Sequence, residues 1–210
     1  MTEHAPTRVV IVRHTEPEES MVGKCYGSLD VGLSDAGVRH ATRLGVVLGA
    51  LSIDGLYASP RRRALMTADA IGRLHGLGPT TTPELRELDF GALEGRTYDE
   101  IATAMPDIYA AWMEHPTTVQ FPGGECFADL RGRVIAAGQR LRREHPGETI
   151  VIVTHGGVAR TILADALQMP DEAIFRLDQR FGAINVIDWF EDTPVVRLLN
   201  GSAAATVGIR

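Results

Sequence analysis

The sequence predicts an α/β fold: a three-layer α/β/α sandwich with a mostly parallel sheet and an antiparallel C-terminal edge. Three observations carry this expectation. β-Branched runs alternate with stretches of helical apolar spacing, which implies βα units and a sheet covered on both faces. The last two extended runs follow one another across a short polar turn, as in a hairpin. With 210 residues, 44% of them hydrophobic and 23% charged, the chain can bury a large core without disulfides or a structural metal. No linker-like shift of composition and no repeat of fixed period interrupts it, so residues 1–210 read as one domain.

Residues 8–13, Arg-Val-Val-Ile-Val-Arg, are a β-branched run suited to a strand buried on both faces. A polar, glycine-containing loop reaches to about Leu33. Ser34-Asp35-Ala36-Gly37 then opens a helix, with Ser34 as N-cap and Val38, Ala41, Leu44, Val47 and Leu48 at helical spacing. A second short strand is expected over Ile53 to Ser59. Ser59-Pro60 has the form of an N-cap followed by an N1 proline, and starts a helix through roughly Leu74. Thr80 to Pro83 offers a third strand, and Glu84 to Gly95 is loop-like. Two helices are expected at 97–114 and 125–144, separated by His-Pro and Phe-Pro-Gly-Gly breakers. Thr149 to Thr154 is the strongest strand and runs into His155-Gly156-Gly157, with a helix over Val158 to Leu167 behind it. Ala183 to Phe190 and Val195 to Asn200 alternate around Glu-Asp-Thr-Pro and close the chain as the hairpin.

Composition excludes several classes of function. The net charge of −6 supplies no general basic field for nucleic acid or an anionic membrane. No apolar run is long enough to cross a bilayer, and Met1 to Arg8 lacks the apolar region of a signal peptide, so a cytoplasmic location is expected. Cys25 and Cys126 are then expected to be free thiols. Lys24 is the single lysine among 21 basic residues. Codon bias explains most of that, but arginine also supplies planar forks suited to phosphate, and position must decide between the two.

The chemistry begins with an internal comparison. Val9-Val10-Ile11-Val12-Arg13-His14 and Ile150-Val151-Ile152-Val153-Thr154-His155 share one plan: four apolar β-formers, a polar residue, a histidine, and a break. If both are parallel strands of one sheet, both imidazoles emerge at its carboxyl edge, where open α/β sheets bind ligands. Gly156 and Gly157 allow close backbone approach and begin a helix whose N–H groups favour an anion. One such histidine would be read as a strand cap; two of them favour a site. No helical histidine pair, aspartate cluster or cysteine pair accompanies them, so metal is the weaker reading, and no glycine-rich or Walker motif implies a nucleotide cofactor.

Histidine is a competent nucleophile toward phosphorus, and such chemistry needs guanidiniums around the phosphoryl oxygens. Arg13 adjoins His14. Arg61, Arg62 and Arg63 begin a helix after a strand, but successive helical residues cannot all face the sheet edge. Hydrolysis also needs an acid for the leaving oxygen and a base for water. Glu87 lies in a loop that could close over the site, although a salt bridge to Arg86 is the plainer reading, and spacing alone does not choose it over Glu84 or Glu94.

Taken together, Arg13-His14-Thr15-Glu16, Ser59-x-x-x-Arg63-Ala64-x-x-Thr67-Ala68, Leu85-Arg86-Glu87-x-x-Phe90-Gly91-x-x-Glu94-Gly95 and Thr154-His155-Gly156-Gly157 resemble, in order, the motifs of the histidine phosphatase superfamily, in its phosphoglycerate mutase-like branch. The resemblance spans nearly the whole chain. It implies His14 as the phosphorylated nucleophile and Arg13, Arg63 and His155 as groups that bind and polarise the phosphoryl group. Glu87 would be the proton donor and then the base for water, with no metal or other cofactor. It selects Arg63 from the arginine triplet, and His155 is expected to bring positive charge. Thr15 departs from the pattern, standing where the family usually has glycine, and a β-branched residue there stiffens the turn.

Cofactor-dependent mutases of this branch carry an insertion with paired arginines and a triple proline. None lies between Gly95 and Pro122, which favours hydrolysis of a small phosphorylated metabolite. The segment Gly23-Lys24-Cys25-Tyr26-Gly27-x-x-Asp30-x-x-Leu33-Ser34, and the tail from Met169 through Gln179, are similar to the α-ribazole phosphatases of cobalamin synthesis. That makes α-ribazole-5′-phosphate the leading substrate, ahead of broad small-molecule or mutase-like activity. Tyr26 and Gly156 are expected at the substrate, and Phe121 to Cys126 at the mouth of the site. A phospholigand-binding module without turnover would tolerate loss of His14 or Glu87, and both are present. A homodimer is admitted only on general grounds, since no surface stripe marks an interface.

Overall fold

The computed structural model describes residues 5–203. The stretch Met1 to Arg8 read for a leader therefore lies partly outside the described residues. One six-stranded sheet organises the chain, in the order β3-β2-β4-β1-β5-β6. The strands are β1 (Thr7–Arg13), β2 (Gly55–Ala58), β3 (Thr80–Thr81), β4 (Thr149–Thr154), β5 (Ile184–Phe190) and β6 (Thr193–Gly201). Strands β1 to β4 run parallel, and β5 and β6 are antiparallel, as the hairpin pattern requires. The hairpin turn is tighter than expected. Only Glu191 and Asp192 separate the strands, and Glu191 takes a φ of 56°.

The helices are α1 (Asp35–Leu48), α2 (Arg62–Gly72), α3 (Tyr98–Ala104), α4 (Pro106–Glu114), α5 (Phe127–Glu144) and α6 (Gly156–Ala166). The period of two in the central strands divides the core between the two faces. Val9, Ile11, Ile150 and Ile152 pack with Leu130, Val134, Leu141 and Leu163 of α5 and α6. Val10, Val12, Val151 and Val153 pack with Leu44, Leu48, Ala68 and Ile71 of α1 and α2. Each such aliphatic side chain, fully removed from water, contributes about 1.5–3 kcal/mol. The site therefore rests on strands buried on both faces.

Three local expectations need correction. Ser34 caps α1, accepting from the Gly37 N–H at 2.9 Å, but Val38 is 43% exposed and is no part of the buried stripe. Ser59 does not cap α2: the helix starts at Arg62, with Arg61 at the cap position and no side-chain cap. Ser59 is instead fully buried beside His155. The helix expected over 97–114 is two, because Pro106 sits at the N1 position of α4 and pushes Met105 out of the helical region, to φ −140° and ψ 60°.

Candidate active site

Parallel pairing of β1 with β4 places Arg13 opposite Thr154, so the two chains leave the sheet edge level with each other. The His14 N–H donates to the Thr154 carbonyl at 2.8 Å. The imidazoles of His14 and His155 stand edge to face, with centroids 5.2 Å apart. His14 is 2% exposed and His155 is fully buried. A cavity of about 200 Å3 opens at this edge, lined by Arg13, His14, Tyr26, Arg63, Glu87 and Gly156 among others.

The Nδ1 of His14 lies 2.7 Å from the Thr15 carbonyl oxygen. A carbonyl only accepts, so Nδ1 carries the proton and Nε2 keeps its lone pair. Burial and the guanidiniums of Arg63 and Arg13 hold the ring well below the usual histidine range, so it is neutral. Thr15 suits the turn it was expected to stiffen. Its backbone N–H donates to Thr67 Oγ1 at 3.2 Å and its hydroxyl donates to the Gly37 carbonyl at 2.9 Å, both in the buried base of the site.

Arg63 is fully buried. Its Nη1 and Nη2 donate to the Leu29 and Gly27 carbonyls at 2.7 and 2.8 Å, and its guanidinium lies 5.2 Å from the Tyr26 ring. Neither of the neighbouring arginines of the triplet lines the cavity: the backbone N–H of Arg62 donates to Asp30 at 2.8 Å, and Arg61 acts on Arg63 and His155 through its charge. Arg13 donates to the Gln179 carbonyl and stacks 4.1 Å over Phe181. The Gly182 N–H, reaching the Arg13 and His14 carbonyls, ties this loop down. Neither Arg13 nor Arg63 forms an ion pair with a carboxylate among the described residues. Burial lowers the pKa of both, Glu87 acts on each from the same cavity without forming an ion pair, and a bound dianion would supply further countercharge.

His155 differs from expectation in charge. Its Nε2 is 2.7 Å from Ser59 Oγ, its buried Nδ1 has no partner, and burial together with Arg63, His14 and Arg13 drives its pKa well down. It is neutral in the free site, because the same desolvation that makes the pocket receptive to an anion penalises an imidazolium. The sign of the linkage follows. Both ring pKa values are depressed on folding, so their stabilising contribution is complete above the unfolded value near 6.5 and is lost as pH falls toward the folded values. The melting temperature of the phosphate-free protein is therefore expected to drop between pH 7 and 5.5. The drop should be shallower in His14→Asn, and a flat wild-type profile over that range would contradict the neutral buried rings.

Glu87 reaches the cavity as expected, while the alternative acids are engaged elsewhere. Glu94 accepts from the backbone of Gly27, Ser28 and Phe90, and Glu84 faces Arg140. The Arg86 salt bridge goes to Glu125, not to Glu87. Glu87 accepts from the Gly157 N–H and the Leu88 N–H, each at 3.0 Å. A Cβ at position 157 would overlap its carboxylate, which is why glycine stands there. Arg133 fastens the loop from behind through the Glu84, Arg86 and Glu87 carbonyls.

The segment Phe121 to Cys126 does not line the cavity. Phe121 is 1% exposed and packs against Trp112 and Phe90. The wall is made instead by Lys24, Cys25, Phe90 and Tyr98. Arg160 also faces the cavity, and the sequence reading missed it, although its i+4 spacing from Gly156 on α6 was a usable signal. Phe181 had no sequence signal, since its place depends on how the C-terminal loop crosses the end of β1. A larger concavity of about 610 Å3 near Thr7, Arg142 and Trp189 opens at the opposite end of the sheet, away from both histidine rings.

Cys25 and Cys126 are free thiols. No helix among the described residues is long and apolar enough to cross a membrane.

A family model described as histidine phosphatase superfamily (branch 1) matches residues 9–202. Phosphoserine phosphatase 1 of Hydrogenobacter thermophilus is 32% identical over 148 residues, covering 70% of each chain. Phosphoglycerate mutase-like protein 4 of Arabidopsis thaliana is 39% identical over 157 residues, 73% of this chain and 68% of that one. The crystal structure of the α-ribazole phosphatase from Shigella flexneri superposes with a TM-score of 0.85 at 28% identity, covering 93% of this chain and 96% of that one.

Proposed function

The chain belongs to the histidine phosphatase superfamily, branch 1, and from that premise we propose that it hydrolyses small phosphomonoesters through a phosphohistidine on His14, without a metal ion. One observation carries the reading: a neutral His14, its Nε2 unprotonated, stands among two guanidiniums that have no carboxylate partner. In the first step Nε2 bonds to phosphorus and the P–O bond to the alcohol breaks. Glu87 passes its proton to the departing oxygen. In the second step water attacks phosphorus, Glu87 takes a proton from it, and the P–N bond breaks to release phosphate. Arg13 and Arg63 hold the equatorial oxygens, where charge accumulates, and the Thr15 carbonyl steadies the phosphorylated ring through Nδ1–H. His155 offers Nδ1 to the same group and gains charge only when the dianion is present.

α-Ribazole-5′-phosphate, suggested by the Gly23 to Ser34 segment, and phosphoserine, from the name of the Hydrogenobacter relative, both fall within this reading. The test is hydrolysis of p-nitrophenyl phosphate after exhaustive treatment with a chelator. Undiminished turnover is expected, with an acid-labile, base-stable phosphoenzyme after quenching. Loss of activity restored by a divalent cation would overturn the proposal. Assay of 3-phosphoglycerate for isomerised product separates hydrolase from mutase.

A further inference from the structure

Arg13 ends β1 with its guanidinium on the cavity wall, and one loop governs how that guanidinium is turned. Its Nη1 donates to the Gln179 carbonyl, and the Phe181 ring centroid lies 4.1 Å from its Cζ. A planar fork carries its donors in a fixed geometry, so a carbonyl and a ring face together set where the remaining N–H groups point.

An amide pair holds this loop from within the core. Gln179 is 2% exposed, and Asn185 of β5 is fully buried. Gln179 Nε2 donates to Asn185 Oδ1 at 3.0 Å, and Asn185 Nδ2 donates back to Gln179 Oε1 at 2.8 Å. Asn185 Oδ1 also accepts from the Asn200 N–H at 2.8 Å, and Nδ2 donates to the Ile11 carbonyl at 3.3 Å, so the whole amide is satisfied. A backbone N–H only donates, so the Asn200 contact fixes which end of Asn185 is oxygen, and with it the orientation of Gln179.

The sheet is distorted around the same residue. In the pairing of β5 with β6, Leu199 and Asn200 stand against Asn185 alone, a bulge with Asn200 at a φ of 51°. From the bulge, Asn200 Nδ2 donates to Asp178 Oδ2 and its Oδ1 accepts from the Arg180 N–H, each at 2.9 Å. Both neighbours of Gln179 are thereby fastened. An apolar pair of similar volume at 179 and 185 would fill the core without desolvating either amide. The polar pair instead ties β1, β5 and β6 to one loop oxygen, the one that Arg13 meets.

We propose that Gln179 and Asn185 are positioning residues that aim the Arg13 guanidinium at the phosphoryl oxygens. The proposal rests on the phosphohistidine reading above and adds to it how one of the guanidiniums is oriented. With the pair intact the Gln179 carbonyl has one position, and Arg13 meets the ester without losing rotamer freedom at that moment.

The experiment is a double-mutant cycle read as kcat/KM on p-nitrophenyl phosphate. Gln179→Met keeps the backbone carbonyl and most of the side-chain volume but deletes the amide. It should lower kcat/KM on the order of 10- to 100-fold. In an Arg13→Met background, with no guanidinium to aim, the same substitution should cost about twofold at most. An equal loss in both backgrounds would assign the pair to the fold alone and overturn the proposal. So would a Gln179→Met enzyme with wild-type kcat/KM. The double variant Gln179→Met/Asn185→Leu separates stability from aim, because it replaces both partners by apolar groups. It should melt above Gln179→Met and yet stay impaired; activity that returns with the melting temperature overturns the proposal. Undiminished activity in Arg13→Met, or a wild type inactive on this ester, would instead overturn the underlying reading, and the proposal with it.

Discussion

His14→Ala is expected to lose at least about 1,000-fold in kcat, equivalent to roughly 4 kcal/mol of barrier, on every ester tested. The variant has no nitrogen to carry the phosphoryl group, so a two-step displacement becomes a direct attack by water. Arg13 and Arg63 would still bind the ester, and KM should change far less than kcat. Stability should fall little, because the buried ring is neutral and makes one local hydrogen bond, to the Thr15 carbonyl at 2.7 Å. Rapid-quench labelling with a 32P ester checks the assignment directly: the wild type should retain label at His14 and the variant none. Turnover within tenfold of wild type would remove His14 as nucleophile.

Glu87→Gln separates acid catalysis from binding. The amide preserves the shape and accepts from the Gly157 N–H through its oxygen, but it cannot give up a proton to an alkoxide. General acid catalysis is typically worth about 100- to 10,000-fold. A loss in that range is expected for alkyl phosphates such as glycerol phosphate, whose alkoxide leaves poorly. For p-nitrophenyl phosphate, whose phenolate needs no proton, phosphorylation should slow much less. Dephosphorylation should slow for both, because the base for water is the same carboxylate and the phosphoenzyme is the same. A plot of the single-turnover phosphorylation rate against leaving-group pKa should be steeper in the variant; parallel lines would deny Glu87 the role of acid.

Much of this site was legible because its strongest signals are local. The repeated plan of four β-formers, a polar residue and a histidine depends only on strand propensity and on where each strand breaks, and β1 and β4 end within a residue of both histidines. Ser34 as a cap and the closing hairpin are equally local. The failures lie where two local rules compete, or where the partner is distant. Ser59 has the form of a helix cap, but buried beside His155 it meets an imidazole, and α2 starts three residues later. Over 97–114, Pro106 divides the expected helix, since proline is as suited to the first turn of a new helix as to ending an old one. The neutral state of His155 in the free site is set by its dielectric surroundings, which a sequence does not name.

The sequence by itself determined the strand runs, the two histidines at strand ends, the glycines after the second, and the order of motifs that marks the family. Only the tertiary structure decided that β1 and β4 are neighbours in register, and that the Gly27 and Leu29 carbonyls orient Arg63. It alone brought Phe181 over Arg13 from the C-terminal loop. The division has a physical cause. Backbone preference and apolar periodicity are properties of a few consecutive residues, whereas electrostatic environment, and the partner each polar group finds, depend on which distant segments pack together to exclude water.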